Sequence, residues 1–532
     1  MKNIAFAVCR SGAFGDAASR IACQLEGNPY SETMLPSAPS SFCRTGSFRR
    51  ASLANGLPPG YSVSLLSENG IGGVLLDTFD GHLRRSGWVL LQMKNKVALA
   101  DLASGRMTEQ EISGTWKFAG DLRGGPVGRL LLERSTLRAY LPFCAIELKQ
   151  IKVAVRDEME KTVVRLSATV LAKGSKRATY ASAHPLRGCG EDHALLEKAL
   201  LADGFTASGM VDYVRLLGMK RKPYEFKPEV VLDGNAPIFD SAGTLVRTFL
   251  GVARQNEQGI VDDLDTEFVH DYRVSLRRVR SLLSLFKGVY AGDANAKLKA
   301  ELAEVMKQTN RLRDLDVCLM DKDGYYGMVP ESLHEGLDVM FGVFARERRG
   351  ALDGVRSLLL GPDYAQRMRR LNVPKKKGEA ADEPTIHFAR RLILARYNKI
   401  ARIAPSIDSS TPDAQIHELR IQCKKLRYLM EFFSPLFPEA SIKPLIKSLK
   451  GLQDVLGRFN DYSVQRRSLA NFAEAHSVKG KKGLRLAESI DALIATLCRL
   501  QGTARGEVAT GLAGVSNDRI RKQFTTLFSN EA

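Results

Sequence analysis

The stretch HDYRVSLRRVRS at residues 270–281 occurs a second time, as HELRIQCKKLRY at residues 417–428, and the repetition sets the plan of the chain. The offset of 147 residues holds without a gap into RLRDLDV at 311–317 and RFNDYSV at 458–464. In that register Phe286 meets Phe433, Leu298 meets Leu445, and Leu302 meets Leu449. A single such unit leaves an apolar face uncovered, so two copies are expected to pack as a pseudo-symmetric pair.

On a helical wheel His270, Arg273, Arg277 and Arg280 fall at i, i+3, i+7 and i+10, one stripe along one face, with Arg278 flanking it. Val279, Leu282, Leu283 and Phe286 lie opposite and face the core. In the second copy His417, Arg420, Lys424 and Arg427 make the same stripe, Lys425 stands where Arg278 stood, and Leu426, Leu429 and Phe433 lie behind. Like charges at this spacing destabilise a helix by roughly 0.2–0.5 kcal/mol per pair, so either neighbouring carboxylates or a bound polyanion must offset them. A single basic stripe is most often just a solvated face. Its duplication in fixed register favours one elongated groove that binds an anion. Arg supplies a rigid fork for phosphate oxygens, Lys a point charge, and His a switchable donor. Arg311, Arg313 and Arg458, beside Asp314 and Asp461, are expected to add to the site from a neighbouring helix, and Lys307, Lys447 and Lys450 to extend its cationic face. Charge reversal at Arg273 and Arg420 is expected to abolish binding and leave the fold intact.

The whole chain agrees with a polyanionic partner. Its 532 residues carry 78 Lys+Arg against 59 Asp+Glu, a net charge of +19. Residues 241–532 contribute 47 basic and 35 acidic residues, a net +12. Such a balance fits nucleic acid, an anionic membrane or a phosphate polymer. No apolar run approaches the ~18 residues of a membrane span. The eight cysteines form no C-x-x-C pair, and Cys189 between His184 and His193 lacks a fourth ligand at zinc spacing. No metal site, cofactor or catalytic group is expected, and the thiols read as reduced, as in a cytoplasmic protein.

Residues 1–56 are Ser-, Pro- and Gly-rich in their second half and read as a disordered extension. Residues 57–225 show strand character at Tyr61–Ser67, Gly73–Asp77, Trp88–Met93, Leu130–Glu133, Ala145–Val155 and Thr162–Leu171, with Asn69-Gly70 as a turn. Their alternation predicts an antiparallel β-barrel, with basic side chains sent to one face. A linker follows at 226–236. Residues 237–532 are predicted all-α: two sets of about four antiparallel helices, the repeats spanning about 238–374 and 385–510. The fold class is therefore multidomain α+β.

The paired H-x-x-R motifs at His270–Ser281 and His417–Tyr428, with R-D-L-D-V at Arg313–Val317, closely resemble the CHAD domain, a helical domain named for its characteristic histidines. The resemblance covers about 236–510. It implies two pseudo-symmetric bundles around a basic cavity, and binding of inorganic polyphosphate, often at polyphosphate granules. It carries over as ligands His270, Arg273, Arg277, Arg278, Arg280, His417, Arg420, Lys424, Lys425 and Arg427. CHAD domains often follow a CYTH domain, a triphosphate tunnel of antiparallel strands. Residues 60–220 look like a degenerate one: Asp77-Thr78-Phe79-Asp80 with Leu83-Arg84-Arg85-Ser86-Gly87 is similar to its D-T-x-x-x-x-L-R-x-x-G signature. The E-x-E-x-K strand that holds the metal in catalytic members is missing; Ser62 and Ser64 stand at the Glu positions and Leu66 at the Lys. Arg84, Arg85, Lys94, Lys96, Arg134, Arg138 and Lys149 would then form a second, non-catalytic anion site. The alternative is a metal-dependent inorganic triphosphatase acting through this domain. Nucleic acid is not expected, because Tyr272 and Tyr428 are isolated and give no stacking platform.

Overall fold

In the computed structural model the described residues are 40–529, except 135–136, 208–211, 220–223, 372, 409 and 477–479. They fall into two compact units that divide between Phe226 and Lys227, at the start of the segment expected to be a linker.

The first unit is a nine-stranded antiparallel sheet: β1 (Ser40–Thr45), β2 (Ser62–Asp77), β3 (Trp88–Gln92), β4 (Lys96–Asp101), β5 (Arg106–Glu111), β6 (Leu141–Arg156), β7 (Thr162–Lys173), β8 (Lys176–Pro185) and β9 (Thr206–Ala207). Their spatial order is β5-β4-β3-β2-β6-β7-β8-β1-β9. Among the described residues no ladder joins β5 to β9, so the sheet is open where a closed barrel was expected. Among the described residues five α-helices accompany it: α1 (Arg50–Asn55), α2 (His82–Arg85), α3 (Pro126–Leu132), α4 (Gly190–Ala202) and α5 (Tyr213–Leu216).

Alternation along β6 explains the packing. Ile146 and Leu148 meet Leu75, Val89, Leu91 and Tyr180 on one face, closed by Tyr213 and Val214 of α5. Ile151, Val153 and Val155 point the other way, under Leu53 beside α1's end and Leu196 and Leu200 of α4. Nearer the start of β6 the same face as Ile151 and Val153 is open, and Glu147 and Lys149 are exposed on it.

Three local expectations are corrected. Residues 40–56 are not a disordered extension: β1 lies between β8 and β9, and Phe42, Cys43 and Leu53 are buried. A segment too poor in apolar residues to fold alone is held by the ladder its neighbours offer. Residues 1–39 of that extension lie outside the described residues. Asn69-Gly70 is no turn; it continues β2 opposite Gln150 and Lys149. Leu130–Glu133 ends a helix, because Pro126 opens α3 at its first position, where the missing N–H costs nothing.

Asp77 shows how the loop after β2 is fixed. Its buried carboxylate accepts the backbone N–H groups of Thr78 at 2.8 Å, Leu83 at 3.0 Å and Arg84 at 3.3 Å. Burial pushes the Asp77 carboxyl up to about 6, against those bonds and Arg84. Asp77→Ala would orphan buried donors and is expected to destabilise the sheet unit by about 2–3 kcal/mol. Urea unfolding of the full chain, followed in the sheet transition, checks this; an unchanged midpoint would contradict it.

The second unit is helical: α6 (Ile238–Gln255), α7 (Glu257–Val261), α8 (Thr266–Leu285), α9 (Gly292–Gln308), α10 (Asn310–Met320), α11 (Lys322–Gly327), α12 (His334–Leu360) and α13 (Pro362–Arg370), then α14 (Thr385–Ile403), α15 (Asp413–Phe433), α16 (Glu439–Ala475), α17 (Lys481–Ser516) and α18 (Asp518–Phe528). α6, α8, α9–α10 and α12 correspond to α14, α15, α16 and α17. The pseudo-twofold axis is visible in two contacts between offset mates. Phe286 stacks on Phe433 with centroids 5.2 Å apart and planes 8° apart, and Pro237 forms a backbone bridge with Pro384. A residue that touches its own counterpart lies on the axis of an isologous pair. The repeats differ at Thr309, where α9 gives way to α10; the matching stretch of α16 runs on unbroken. Among the described residues no helix is long and apolar enough to cross a membrane.

Candidate anion-binding site

The start of α8 is pinned before its stripe begins. Asp265 caps it through the Glu267 N–H at 2.9 Å, and Arg313 donates to the Thr266 carbonyl at 3.3 Å. Arg348 of α12 forks onto Asp263 at 2.7 and 3.0 Å and reaches Asp316 at 2.7 Å. Asp263 sits at φ +50°, a left-handed position that costs a non-glycine residue about 1 kcal/mol or more unless its surroundings hold it. Burial pushes the Asp316 carboxyl up to about 6, although Arg348 and Arg313 pull it down.

Arg273 is the most enclosed member of the first stripe. It donates to the Met306 carbonyl at 2.9 Å and to Thr309 Oγ1 at 2.6 Å, so it closes the end of α9. Burial lowers its pKa to about 10, with repulsion from Arg277 adding and attraction to Asp314 opposing. Arg277 is half-buried one turn on, and Arg280 reaches the Met306 sulfur at 3.8 Å. His270 is half-buried at the head of the stripe. In the second copy His417 Nδ1 meets Asn460 Oδ1 at 2.9 Å, Asn460 being the offset mate of Arg313. Arg420 is buried, Lys424 lies over the Tyr428 ring at 5.7 Å, and Arg427 pairs with Glu431 at 3.4 Å. Lys447 and Lys450 are exposed on α16.

These cations differ in how far the protein already neutralises them. Arg311 pairs with Glu347 and Arg458 with Glu507. Arg313 is buried in the brace at the start of α8. Among the described residues Arg277, Arg420, Lys424, Lys447 and Lys450 have no carboxylate within ion-pair distance. That uncompensated set spans both repeats.

Arg278 and Lys425 leave the stripe. Each follows its stripe neighbour by one residue, a turn of about 100° on an α-helix. Arg278 is buried over the Phe249 ring at 5.2 Å; burial lowers its pKa and the nearby Glu431 raises it. Lys425 turns toward α14: burial lowers its pKa first, then Arg396, Lys399 and Lys287, with Glu418 opposing. Arg396 and Lys399 are a basic pair that the wheel of α15 alone does not reveal. Arg348 was missed for a similar reason, since nothing in α12's own pattern marks it.

In the sheet unit the proposed second site is dispersed. Buried Arg84 lies 3.9 Å from Asp77 and 3.6 Å from Asp212, while Arg85 pairs with Asp80 at 3.2 Å. Lys96 faces Glu109 at 3.5 Å and Lys149 faces Glu68 at 2.5 Å. Arg134 stacks on Trp88 at 4.0 Å, Arg138 faces Tyr224 at 5.9 Å, and Lys94 is exposed after β3. Among the described residues no group of three or more His, Cys, Asp and Glu converges at metal-binding distance.

With the duplicated helical unit in view, the family model of the CHAD domain matches residues 244–470. Residues 244–470 form a CHAD domain. The CHAD domain of the plant Ricinus communis, solved as a crystal structure, is similar at 23% identity, with 57% of this chain and 96% of that chain covered and a TM-score of 0.45. PptA from Streptomyces chartreusis is similar at 16% identity, with 52% and 99% covered and a TM-score of 0.39. No curated protein matches the chain. The CHAD domain takes in α8, α15 and most of α16, and so every member of both stripes.

Proposed function

We propose that the CHAD domain binds linear inorganic polyphosphate along the paired stripes. The observation that carries this reading is the uncompensated set Arg277, Arg420, Lys424, Lys447 and Lys450, one from the first repeat and four from the second, with Arg277 and Lys424 as mates in the 147-residue register. Cations without internal carboxylates beside them cost stability until an external anion supplies the charge. A phosphate chain does so at every unit, with Arg forking onto two oxygens and Lys meeting one, while His270 and His417 donate at the stripe heads. Arg273, held at the end of α9, contributes field and geometry more than an open fork. Arg278 and Lys425 belong to flanking surfaces. The sheet unit offers less, because Arg84, Arg85, Lys96 and Lys149 already face carboxylates. We read it as a degenerate CYTH-like domain that does not cut the chain, since Ser62 and Ser64 occupy the Glu positions of the metal strand. The proposed location is the cytoplasm, at polyphosphate granules; a fluorescent fusion of the full chain imaged against stained granules tests it.

Neutralising a polyanion releases counterions, so log affinity should fall linearly with log salt. For about five phosphate contacts, raising salt from about 50 to about 200 mM should weaken binding roughly 100-fold. Titration calorimetry across that range checks the slope. A salt-independent affinity would contradict the reading.

A further inference from the structure

A cavity of about 270 Å³ opens between the repeats, where α9 and α10 face the last third of α16. Its polar lining includes Asn310, Arg311, Asp314 and Asn471. Its other walls are apolar and aromatic: Tyr325, Phe344 and Phe472. Phe344 and Phe472 meet edge to face at 5.0 Å, and His476 stacks on Phe472 at 4.4 Å. Glu347 joins the two sides at the rim, pairing with Arg311 of the first repeat and, at 3.2 Å, with His476 of the second.

The cavity adjoins the first stripe. Arg273 is bonded to the Met306 carbonyl and the Thr309 hydroxyl, and the next residues along, Lys307 and Asn310, line the cavity. Asp314 lines it too and is the carboxylate that attracts Arg273. An inorganic phosphate chain has no apolar surface, so an aromatic chamber beside its groove gives it nothing. A ligand that joins a flat heteroaromatic ring to a phosphate chain would use both. Aromatic walls supply stacking area, and Asn310, Asn471, Arg311 and Asp314 offer donors and acceptors to a base edge. The volume lies near the lower limit of about 300 Å³ for small-molecule pockets, which suits one base.

We infer that this cavity takes the base of a nucleoside polyphosphate whose phosphates run onto the stripe. The inference rests on the anion-binding reading above, since the stripe holds the phosphates. It is tested on the full chain by calorimetric titration with tripolyphosphate, ATP and GTP, at matched ionic strength and without divalent metal. Tripolyphosphate has the greater charge density, so the stripe alone would favour it. A base in the cavity should make at least one nucleotide bind about tenfold tighter than tripolyphosphate. Ala475→Trp, which fills the cavity mouth from an exposed position, should erase that advantage and leave tripolyphosphate affinity unchanged. The milder Asn471→Ala should reduce it in part, which keeps the test decisive if the tryptophan variant fails to fold. Equal or weaker nucleotide binding, or an advantage that survives both variants, overturns the inference while tripolyphosphate binding upholds the stripe. Binding of none of the three overturns both.

Discussion

Changing Arg277 and Lys424 together to glutamate should weaken polyphosphate binding by about 100-fold or more, while helical content stays unchanged. Neither side chain has a carboxylate partner that the change would strand, and both are half-buried on helix faces that tolerate Glu. Each reversal removes a charge-assisted contact and places a like charge against the chain. One falls in each repeat, so the ligand cannot shift to an intact half. Arg273 and Arg420, the pair that the sequence pattern favours, make a poorer test. Arg273 is buried and closes the end of α9 through Met306 and Thr309, so Arg273→Glu would damage the fold as well as the site. Calorimetric titration with circular dichroism on the same samples separates the two outcomes. Undiminished affinity in the Arg277/Lys424 variant would remove the stripes from the site.

The largest loss of stability is expected from Arg348→Ala. Arg348 holds Asp263 in its left-handed conformation and is bonded to Asp316, whose side chain is fully buried. Removing it leaves Asp316 without its nearest cation, at a cost of about 3–5 kcal/mol. The deficit should depend on pH with a definite sign. The folded Asp316 carboxyl already lies at about 6, above the ordinary carboxylate value, so the folded state binds its proton more tightly than the unfolded one. Its contribution is therefore most favourable at low pH and is lost as pH rises through about 6. Loss of Arg348 raises that pKa further, so the variant should recover part of its deficit between pH 7 and pH 5. Denaturant midpoints at the two pH values, beside the unaltered chain, check this. A deficit that grows on acidification would mean that Asp316 is not the group responsible.

Most of the helical unit was legible because its period and its duplication spoke together. Pro330, Pro405 and Pro438 lie beside real breaks, and the 147-residue register predicted that Phe286 and Phe433 are mates, which their stacking on the axis bears out. The interruption at Thr309 was not legible, since the apolar positions on its two sides (Leu302, Val305 and Met306, then Leu312 and Leu315) stay in helical phase and no Gly or Pro marks the break. The site was legible as a stripe but not as a set of individual fates. A wheel reports angle, whereas the neutralisation of Arg311 by Glu347, or of Arg427 by Glu431, depends on which carboxylate a fold brings near. Arg278 and Lys425 show the same limit: one residue's step along the helix carries each to a different neighbour. In the sheet unit, Asn69-Gly70 looked like a turn because local chemistry favours one, and the long pairing with β6 overrode it. β1 escaped notice because its ladder partners are remote in sequence.

If polyphosphate binds in the CHAD domain, residues 227–532 alone should bind it as the full chain does. The helical unit has its own core and forms a compact body, so it is expected to fold independently, as circular dichroism would verify. Titrated with long-chain polyphosphate at fixed salt, the fragment should bind with the affinity of the full chain to within about threefold, a difference of well under 1 kcal/mol. A folded fragment that does not bind, beside a full chain that does, would place binding outside the CHAD domain.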